Sequence, residues 1–278
     1  EVRVIKKFRN IDCIIAIGGG STLDFAKGIA ILLKNKGNSL KFMGFPKGIK
    51  KIVPLIAIPT TVSTGSEIIY NAVFTDKLKG IKLGINYNKN YPIASILDPK
   101  LISDAPRKII IQSTLASLMR SIETFTSPDS DEITRFFSKQ AFKMILEGIN
   151  IDKNKINYKK LQWGCVFSMI ALSNSSSGPC GVINYYLSVN YNISQPLAYS
   201  FSALEFFKHN IKHKYFGYSG IIEGNELKNI SNSKKFLKKI VDVQNLLSSE
   251  IQIGKKKIKY KEKELDNIYN LFKNKKFI

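Results

Sequence analysis

A glycine-rich turn between an apolar segment and a helical pattern is the first feature that could do chemistry. Gly18, Gly19, Gly20 and Ser21 follow the apolar residues 14–17, which predicts a strand, a tight turn and the start of a helix. Glycine lets a ligand approach the backbone closely because it carries no Cβ. The N–H groups and the positive dipole end of the helix then favour an anion, usually a phosphate. The alternative is an ordinary turn between a strand and a helix.

A second loop, which also follows an apolar strand pattern, is dense in hydroxyl groups. Its threonines are Thr60, Thr61 and Thr64. Hydroxyls and backbone N–H groups suit phosphate, ribose or nicotinamide contacts, although they also suit turns. The following Ser66 and Glu67 are equally typical of helix capping. Further along, Lys82 could reach a phosphate, although most lysines in such a chain are solvated.

These segments, in this order, resemble the iron-containing alcohol dehydrogenase family from about residue 12 to about residue 218. The shared patterns are a GGGS turn followed by an Asp and a Lys, a TT-x-x-TGSE loop, a K-x-G-I step and an L-D-P strand end. The resemblance implies a nicotinamide cofactor, NAD or NADP, in a cleft between an α/β domain and a helical domain. It places these residues at the cofactor: Gly18, Gly19, Gly20, Ser21, Asp24, Thr60, Thr61, Thr64, Asn71, Lys82 and Leu101.

The family also holds a divalent metal with one aspartate and three histidines, and this sequence lacks those ligands. The aspartate and the first histidine lie four residues apart on one helix, so both face the same side. Ala116 and Arg120 stand at these positions, and Gly181 and Gln195 align with the other two. Alanine has no donor atom, and arginine is a permanent cation that accepts nothing. Because the chain has only two histidines, we expect no iron or zinc site of the family type.

The two histidines, His209 and His213, are four residues apart and would share a helix face. Metal-binding pairs have this spacing, but no carboxylate or thiol lies nearby in the sequence, and lysines flank the pair. We therefore interpret them as part of a basic surface.

Without a metal, another group must stabilise the alkoxide that develops during hydride transfer. The metal would act as a Lewis acid, and Arg120 is the candidate replacement because a cation at a lost ligand position could take over this electrostatic role. The alternatives are that Arg120 fills a vacated site or points to solvent. Tyr185 and Tyr186 could donate a hydrogen bond, or they could be packed aromatics.

The predicted fold is α/β, with a partial dinucleotide-binding parallel sheet over residues 1–106 and an all-helical domain over residues 107–278. This is the dehydroquinate synthase-like architecture of the family. Apolar spacing predicts helices over 132–149, with Asp131 as N-cap, over 161–172 and over 231–247. Family members carry a further strand–helix section before the GGGS turn. We therefore expect a truncated chain, or a partner that covers an open strand edge and apolar helix faces.

The net charge of +22 invites a nucleic-acid partner. However, only five of the 43 basic residues are arginine, the residue that best forms bidentate contacts with bases and phosphates. An A/T-rich coding bias explains the excess of Lys, Asn and Ile. No helix-turn-helix, zinc-finger or aromatic RNA-binding signature occurs. We therefore expect a small-molecule alcohol or aldehyde as partner, with no specific nucleic acid; weak, salt-sensitive polyanion binding stays open.

Sequence features also bear on location. No apolar run approaches membrane-spanning length, and the start shows no signal-peptide pattern. Cys13, Cys165 and Cys180 are widely spaced and odd in number, which favours free thiols in a reducing cytosol. We expect a cytoplasmic protein with no membrane partner. A homo-oligomer is one way to cover the open strand edge.

The sequence supports two alternative functions. The first is an NAD(P)-dependent oxidoreductase that interconverts an alcohol and an aldehyde or ketone, with a sugar-type substrate suggested by resemblance to bacterial branches of the family. The second is an inactive, metal-free and truncated relic that at most binds a nucleotide or serves as a subunit. The intact cofactor loops favour the first, and the lost ligand positions favour the second.

Overall fold

The computed structural model describes residues 10–37, 39–62, 65–76, 81–150, 155–190, 194–213 and 220–221. The chain splits into two compact units, Glu1–Ala105 and Pro106–Ile278. The described part of the first unit contains a parallel sheet with a helix against it, and that of the second is mainly helical. The predicted α/β class is therefore confirmed.

The first unit contains these described elements: β1 (Ile14–Gly18), α1 (Gly20–Lys34), β2 (Leu55–Pro59), β3 (Ala72–Asp76), β4 (Ile81–Ile85), β5 (Ala94–Ser95) and α2 (Pro99–Ser103). A 3-10 turn, Ser39–Phe42, follows α1. Strands β1, β2 and β5 form a parallel sheet in the order β1-β2-β5, with Ile14 opposite Leu55. Strands β3 and β4 form a separate antiparallel hairpin.

The two faces of the parallel sheet differ. Small and branched apolar side chains of β1 and β2 pack with Leu23 and Ala26 of α1 in one buried cluster. On the opposite face, Ile15 and Ile17 are 63% and 59% exposed. Both faces of a parallel sheet are usually covered. Among the described residues of this unit, one face of the sheet thus leaves large apolar side chains in contact with solvent.

The second unit contains these described elements: α3 (Arg107–Thr126), α4 (Glu132–Gly148), β6 (Ile149–Asn150), β7 (Lys155–Ile156), α5 (Tyr158–Ser173), α6 (Pro179–Asn190) and α7 (Gln195–Lys212). The prediction of an all-helical unit is wrong in one detail, because β6 and β7 pair antiparallel between α4 and α5. Each of these two strands is two residues long.

Helix α3 is the central helix of this unit, and it is buried from Ile110 to Phe125. Several of its hydroxyl side chains bond to carbonyls of their own helix: Thr114 donates to Ile110 O at 2.7 Å and Thr124 to Arg120 O at 2.9 Å. Such local bonds satisfy hydroxyls without solvent. The sequence of α3 can therefore be polar while the helix is surrounded by protein, and α3 carries its ionisable side chains into the core.

Side-chain capping accounts for the starts of α4 and α5. Asp131 Oδ1 accepts from Thr134 N at 2.7 Å, so the predicted N-cap of α4 is confirmed. Helix α5 begins at Tyr158, earlier than predicted, because Asn157 Oδ1 accepts from Lys160 N at 3.1 Å. The helix predicted over residues 231–247 lies outside the described residues. No helix in the described part combines the length and apolar character needed to cross a bilayer.

Candidate functional site

The glycine turn and the hydroxyl-rich loop meet directly. Gly18 O accepts a hydrogen bond from Thr60 N at 3.0 Å. Gly18 has φ +154°, and a Cβ built on it would lie 2.8 Å from the Thr22 Cβ. A Cβ on Gly19 would lie 3.3 Å from Thr61 Oγ1. The turn therefore requires glycine at residue 18 and leaves no more than van der Waals space between the two loops at residue 19.

The turn presents the start of α1 without a side-chain cap. Gly19 is the N-cap residue, has extended backbone angles and forms no side-chain hydrogen bond to the helix. The helix is 15 residues long, so its N-terminal N–H groups and its dipole are those of a full-length helix. This arrangement can hold an anionic group such as a diphosphate.

Not all predicted cofactor residues are at this turn. Ser21 is exposed beside it, and Leu101 lies on α2 with 37% of its surface exposed. Asn71 donates from Nδ2 to Asn86 Oδ1, and Lys82 lies on β4 near the charge of Asp24. Thr64 lies outside the described residues.

About two helical turns after the glycines, the Lys27 side chain is completely buried. Lys27 Nζ donates to Ser66 Oγ at 2.9 Å, to Ile69 O at 2.6 Å and to Asn71 O at 2.9 Å. An ammonium group has three donors, so each finds an acceptor. Burial lowers the pKa of Lys27 to about 8, although the negative charges of Asp24 and Glu67 oppose the shift.

Asp24 joins the same cluster from one turn earlier on α1. Its carboxylate accepts from the Ser66 hydroxyl and from Val73 N, the latter at 3.1 Å. Burial raises the pKa of Asp24, while the charges of Lys27 and Lys82 and these hydrogen bonds oppose the rise. The interpretation of Ser66 and Glu67 as a helix cap is wrong, because both are buried in a turn where no described helix begins. Ser66 instead links Asp24 to Lys27.

A second buried cluster surrounds Glu123 on α3. Its Oε1 accepts from Cys180 N at 2.6 Å, at the start of α6, and its Oε2 accepts from the Tyr199 hydroxyl at 2.7 Å. Burial raises the pKa of Glu123 to about 6 against the effect of these hydrogen bonds. Burial, and then the charge of Glu123, raise the pKa values of Cys180 and Tyr199 as well.

Arg120 lies one turn before Glu123 and is also buried. Its Nη1 donates to Ser168 Oγ at 3.2 Å, and its charge favours the ionised form of Tyr199. The alternative in which Arg120 points to solvent is therefore wrong. The helical unit contains a buried cation, a carboxylate and a phenol in one neighbourhood.

The residues at the four family ligand positions do not fit a metal. Ala116 and Gly181 are buried without donor side chains, Arg120 is a cation, and Gln195 offers one neutral oxygen. A Cβ on Gly181 would clash with the Ser177 hydroxyl, so a larger side chain at this position would require Ser177 to move. The described residues contain no group of three or more His, Cys, Asp or Glu side chains that could hold a metal ion.

The two histidines lie side by side at the end of α7, with their rings tilted by 38°. The His209 and His213 rings are 4.3 Å apart between centroids, and both residues are exposed. Within the described part of the chain, no carboxylate or thiol completes a metal site there.

Sequence reasoning missed Lys27, Glu123 and Tyr199 as members of buried clusters. One signal was present for Lys27, because it stands inside the apolar stretch of α1 where a solvated lysine has no place. Glu123 gave no comparable signal. Its partners follow it by 57 and 76 residues, and spacing along one helix does not reveal such contacts.

The structure resembles solved alcohol dehydrogenases over almost its whole length. The alcohol dehydrogenase from Oenococcus oeni superposes with a TM-score of 0.80, at 22% identity, over 99% of this chain and 75% of that one. The sulfoacetaldehyde reductase from Bifidobacterium kashiwanohense, solved in complex with NAD+, gives 0.78 at 21% identity, over 97% and 72%. The fold is therefore that of these α/β dehydrogenases with a helical unit.

Sequence matches agree with the fold. Residues 2–99 match the family model of iron-containing alcohol dehydrogenases. It is 35% identical to the NAD-dependent methanol dehydrogenase of Bacillus methanolicus over 141 residues, which are 51% of this chain and 37% of the relative. It is 30% identical to the 4-hydroxybutyrate dehydrogenase of Clostridium kluyveri over 201 residues, or 70% and 54%. The chain thus spans about half or less of the curated relatives it matches.

Proposed function

We propose that this chain provides the nucleotide-binding and helical domains of an NAD(P)-dependent oxidoreductase that interconverts an alcohol and an aldehyde or ketone. The observation that carries the proposal is the direct contact of the two cofactor-type loops, through the 3.0 Å bond from Thr60 N to Gly18 O. Two adjacent loops that each suit phosphate or ribose contacts support a dinucleotide site more strongly than a single glycine turn does.

The turn fits the diphosphate of a dinucleotide. The uncapped start of α1 supplies N–H donors and a positive dipole. A Cβ at residue 19 would lie 3.3 Å from Thr61 Oγ1, so a larger side chain there would push the turn away from the hydroxyl-rich loop. When bound, the nicotinamide would supply the hydride chemistry, and the protein groups would hold and orient it.

Arg120 is the proposed electrostatic group for the reacting oxygen. The chain has no donor set for a metal at the family positions, so we route no step through one. A buried guanidinium is a permanent cation that needs no reorganisation when negative charge develops on oxygen. The named substrates of the relatives, methanol and 4-hydroxybutyrate, support a small primary alcohol, and a sugar-type alcohol is the broader possibility.

A specific observation favours the second candidate, a metal-free chain that binds a nucleotide without turnover. The Ser177 hydroxyl and Tyr199 lie where a side chain at residue 181, one of the family ligand positions, would begin. In this function the chain would be a nucleotide-binding subunit.

The partner and location belong to the same proposal. The exposed isoleucines of β1 support a homo-oligomer or another partner that covers the sheet. The described cysteines, Cys13, Cys165 and Cys180, are free thiols, which supports the cytoplasm.

Calorimetric titration with NAD+, NADH and NADPH, with metal analysis of the same sample, tests the function. We expect micromolar cofactor binding without stoichiometric metal. Gly19→Val should abolish it, because the side chain fills the approach to Thr61 at backbone angles that valine tolerates. Ala94→Val is the matched control at an exposed position of the same unit. No binding at millimolar cofactor would refute the proposal, and stoichiometric zinc or iron would show that the ligand positions are misassigned.

Turnover separates the two candidates. We expect Arg120→Lys to keep cofactor binding while alcohol oxidation falls by about 10²-fold, the scale of losing one preorganised electrostatic group. Wild-type protein that binds cofactor but oxidises none of a panel of small alcohols and polyols would favour the inactive subunit.

A further inference from the structure

The buried Lys27 of α1 links the helix that follows the glycine turn to the segment that follows the hydroxyl-rich loop. Lys27 lies on the helix that begins at the glycine turn, and its acceptors lie in the segment 66–71, which follows the hydroxyl-rich loop. All three ammonium protons are donated, two of them to backbone carbonyls. The position of this backbone segment relative to α1 is therefore set by hydrogen bonds to one side-chain atom.

Ordinary packing does not explain a lysine here. The neighbouring residues of α1 are apolar and buried, and methionine would fill similar volume without the cost of burying a charge. Asp24 reinforces the connection, because it accepts from Ser66, which also accepts from Lys27, and from Val73 N at the start of the hairpin. Such a network contributes a defined geometry more than it contributes stability.

We propose that Lys27 is a positioning residue for the dinucleotide site, whose ammonium group fixes the hydroxyl-rich loop at the distance from the glycine turn that lets both loops contact one ligand. The inference deepens the proposed function and rests on it. Lys27 is fully buried and touches no ligand itself, so its effect reaches the cofactor through the backbone of the segment 66–71.

Protonation gives this arrangement a measurable signature. The groups that face Lys27 are Asp24 on α1 and Glu67 in the following turn, and Lys82 on β4 faces Asp24. With a pKa of about 8 in the folded chain, Lys27 becomes a neutral amine in mildly alkaline solution. A neutral amine has two N–H donors rather than three, so one of the three contacts is lost. Cofactor affinity should then decrease above pH 8.

Stability should follow the opposite trend. Because the folded pKa of Lys27 lies below its ordinary value of 10.5, the unfolded chain holds this proton more strongly. The free energy of unfolding then increases with pH between about 8 and 10.5. A role in stability alone cannot produce weaker cofactor binding together with a more stable fold.

The experiment is calorimetric titration of NADH from pH 7 to 9.5 into wild-type protein, Lys27→Met, Lys27→Arg and the control Lys34→Met. Lys34 is an exposed lysine in the last turn of the same helix. We expect Lys27→Met to raise the dissociation constant at least tenfold at pH 7 and to remove the pH dependence. Its melting temperature should also fall, because the Ile69 and Asn71 carbonyls and the Asp24 carboxylate lose their partner, so the pH profile is the readout that separates positioning from stability. Lys27→Arg should recover part of the affinity and lack the decrease above pH 8, since arginine keeps its charge.

Unchanged affinity and an unchanged pH profile in Lys27→Met would overturn the inference. If wild-type protein binds no NADH, the proposed function fails, and hydrogen exchange tests the positioning separately. The amides of residues 66–71 should then exchange faster in Lys27→Met than in wild-type or Lys34→Met protein. Equal exchange would overturn the role of Lys27.

Discussion

The buried Glu123 carboxyl group should make the stability of the helical unit depend on pH. Its pKa is about 6 in the folded chain, against an ordinary value of 4.5. The folded state therefore binds this proton more strongly, which contributes stability that is complete below pH 4.5 and lost as pH rises through about 6. With 1.36 kcal/mol for each pKa unit, the loss is about 2 kcal/mol.

Glu123→Gln tests this reasoning because it removes the titration and retains an acceptor. The glutamine Oε1 can accept from Cys180 N, and its amide can donate to the Tyr199 oxygen after the hydroxyl rotates. The variant lacks the contribution of this carboxyl group to the pH dependence, while all other titrating groups are shared with wild type. The difference between wild type and variant should therefore change by about 2 kcal/mol between pH 4.5 and 7, whatever its absolute value.

Urea unfolding followed by tryptophan fluorescence is the assay. Trp163 is the only tryptophan, and it lies on α5 in the same unit, 5.9 Å from the Phe167 ring. Glu132→Gln is the control, because that side chain is 92% exposed and should leave the profile unchanged. Parallel pH profiles for wild type and Glu123→Gln would refute the link between burial and proton affinity.

Two further predictions concern packing and capping in the helical unit. Gly164→Ala should lower the free energy of unfolding by about 1–3 kcal/mol, because its Cβ would lie 2.6 Å from Ile145 and 3.2 Å from a backbone oxygen; an unchanged urea midpoint would contradict the close packing of α4 and α5. Asn157→Ala should cost about 1 kcal/mol by removing the N-cap of α5. Asn157→Ser, which can still cap, should recover most of this loss, and equal losses in both variants would argue against capping.

Local signals were enough for part of the fold. The strand, turn and helix around Gly18 follow from one short segment, and Asp131 caps α4 as its type and position predict. The N-cap role of Asn157 is not evident from apolar spacing, because lysines rather than apolar residues follow Tyr158. In each case, the deciding contact spans only a few residues along the chain.

Long-range contacts set the rest. Ser66 looks like a helix cap in the sequence, but its partners Asp24 and Lys27 precede it by 42 and 39 residues. Residue types were enough to predict that the family ligands are missing. They could not reveal that Ser177 lies where a side chain at position 181 would extend, since this depends on how the turn before α6 folds back.

The order of the strands has a consequence for the time course of folding. Strand β1 pairs in parallel with β2, which follows it through a helical crossover, so a loop of about 40 residues must close before the sheet exists. Helices α4 and α5 are joined by a short connection and can pair locally. Because local contacts form faster than distant ones, we expect the pair of helices α4 and α5 to become native first in a refolding experiment. The Lys27 contacts bridge a similar separation to the strands, so the paired loops should form after this helix pair.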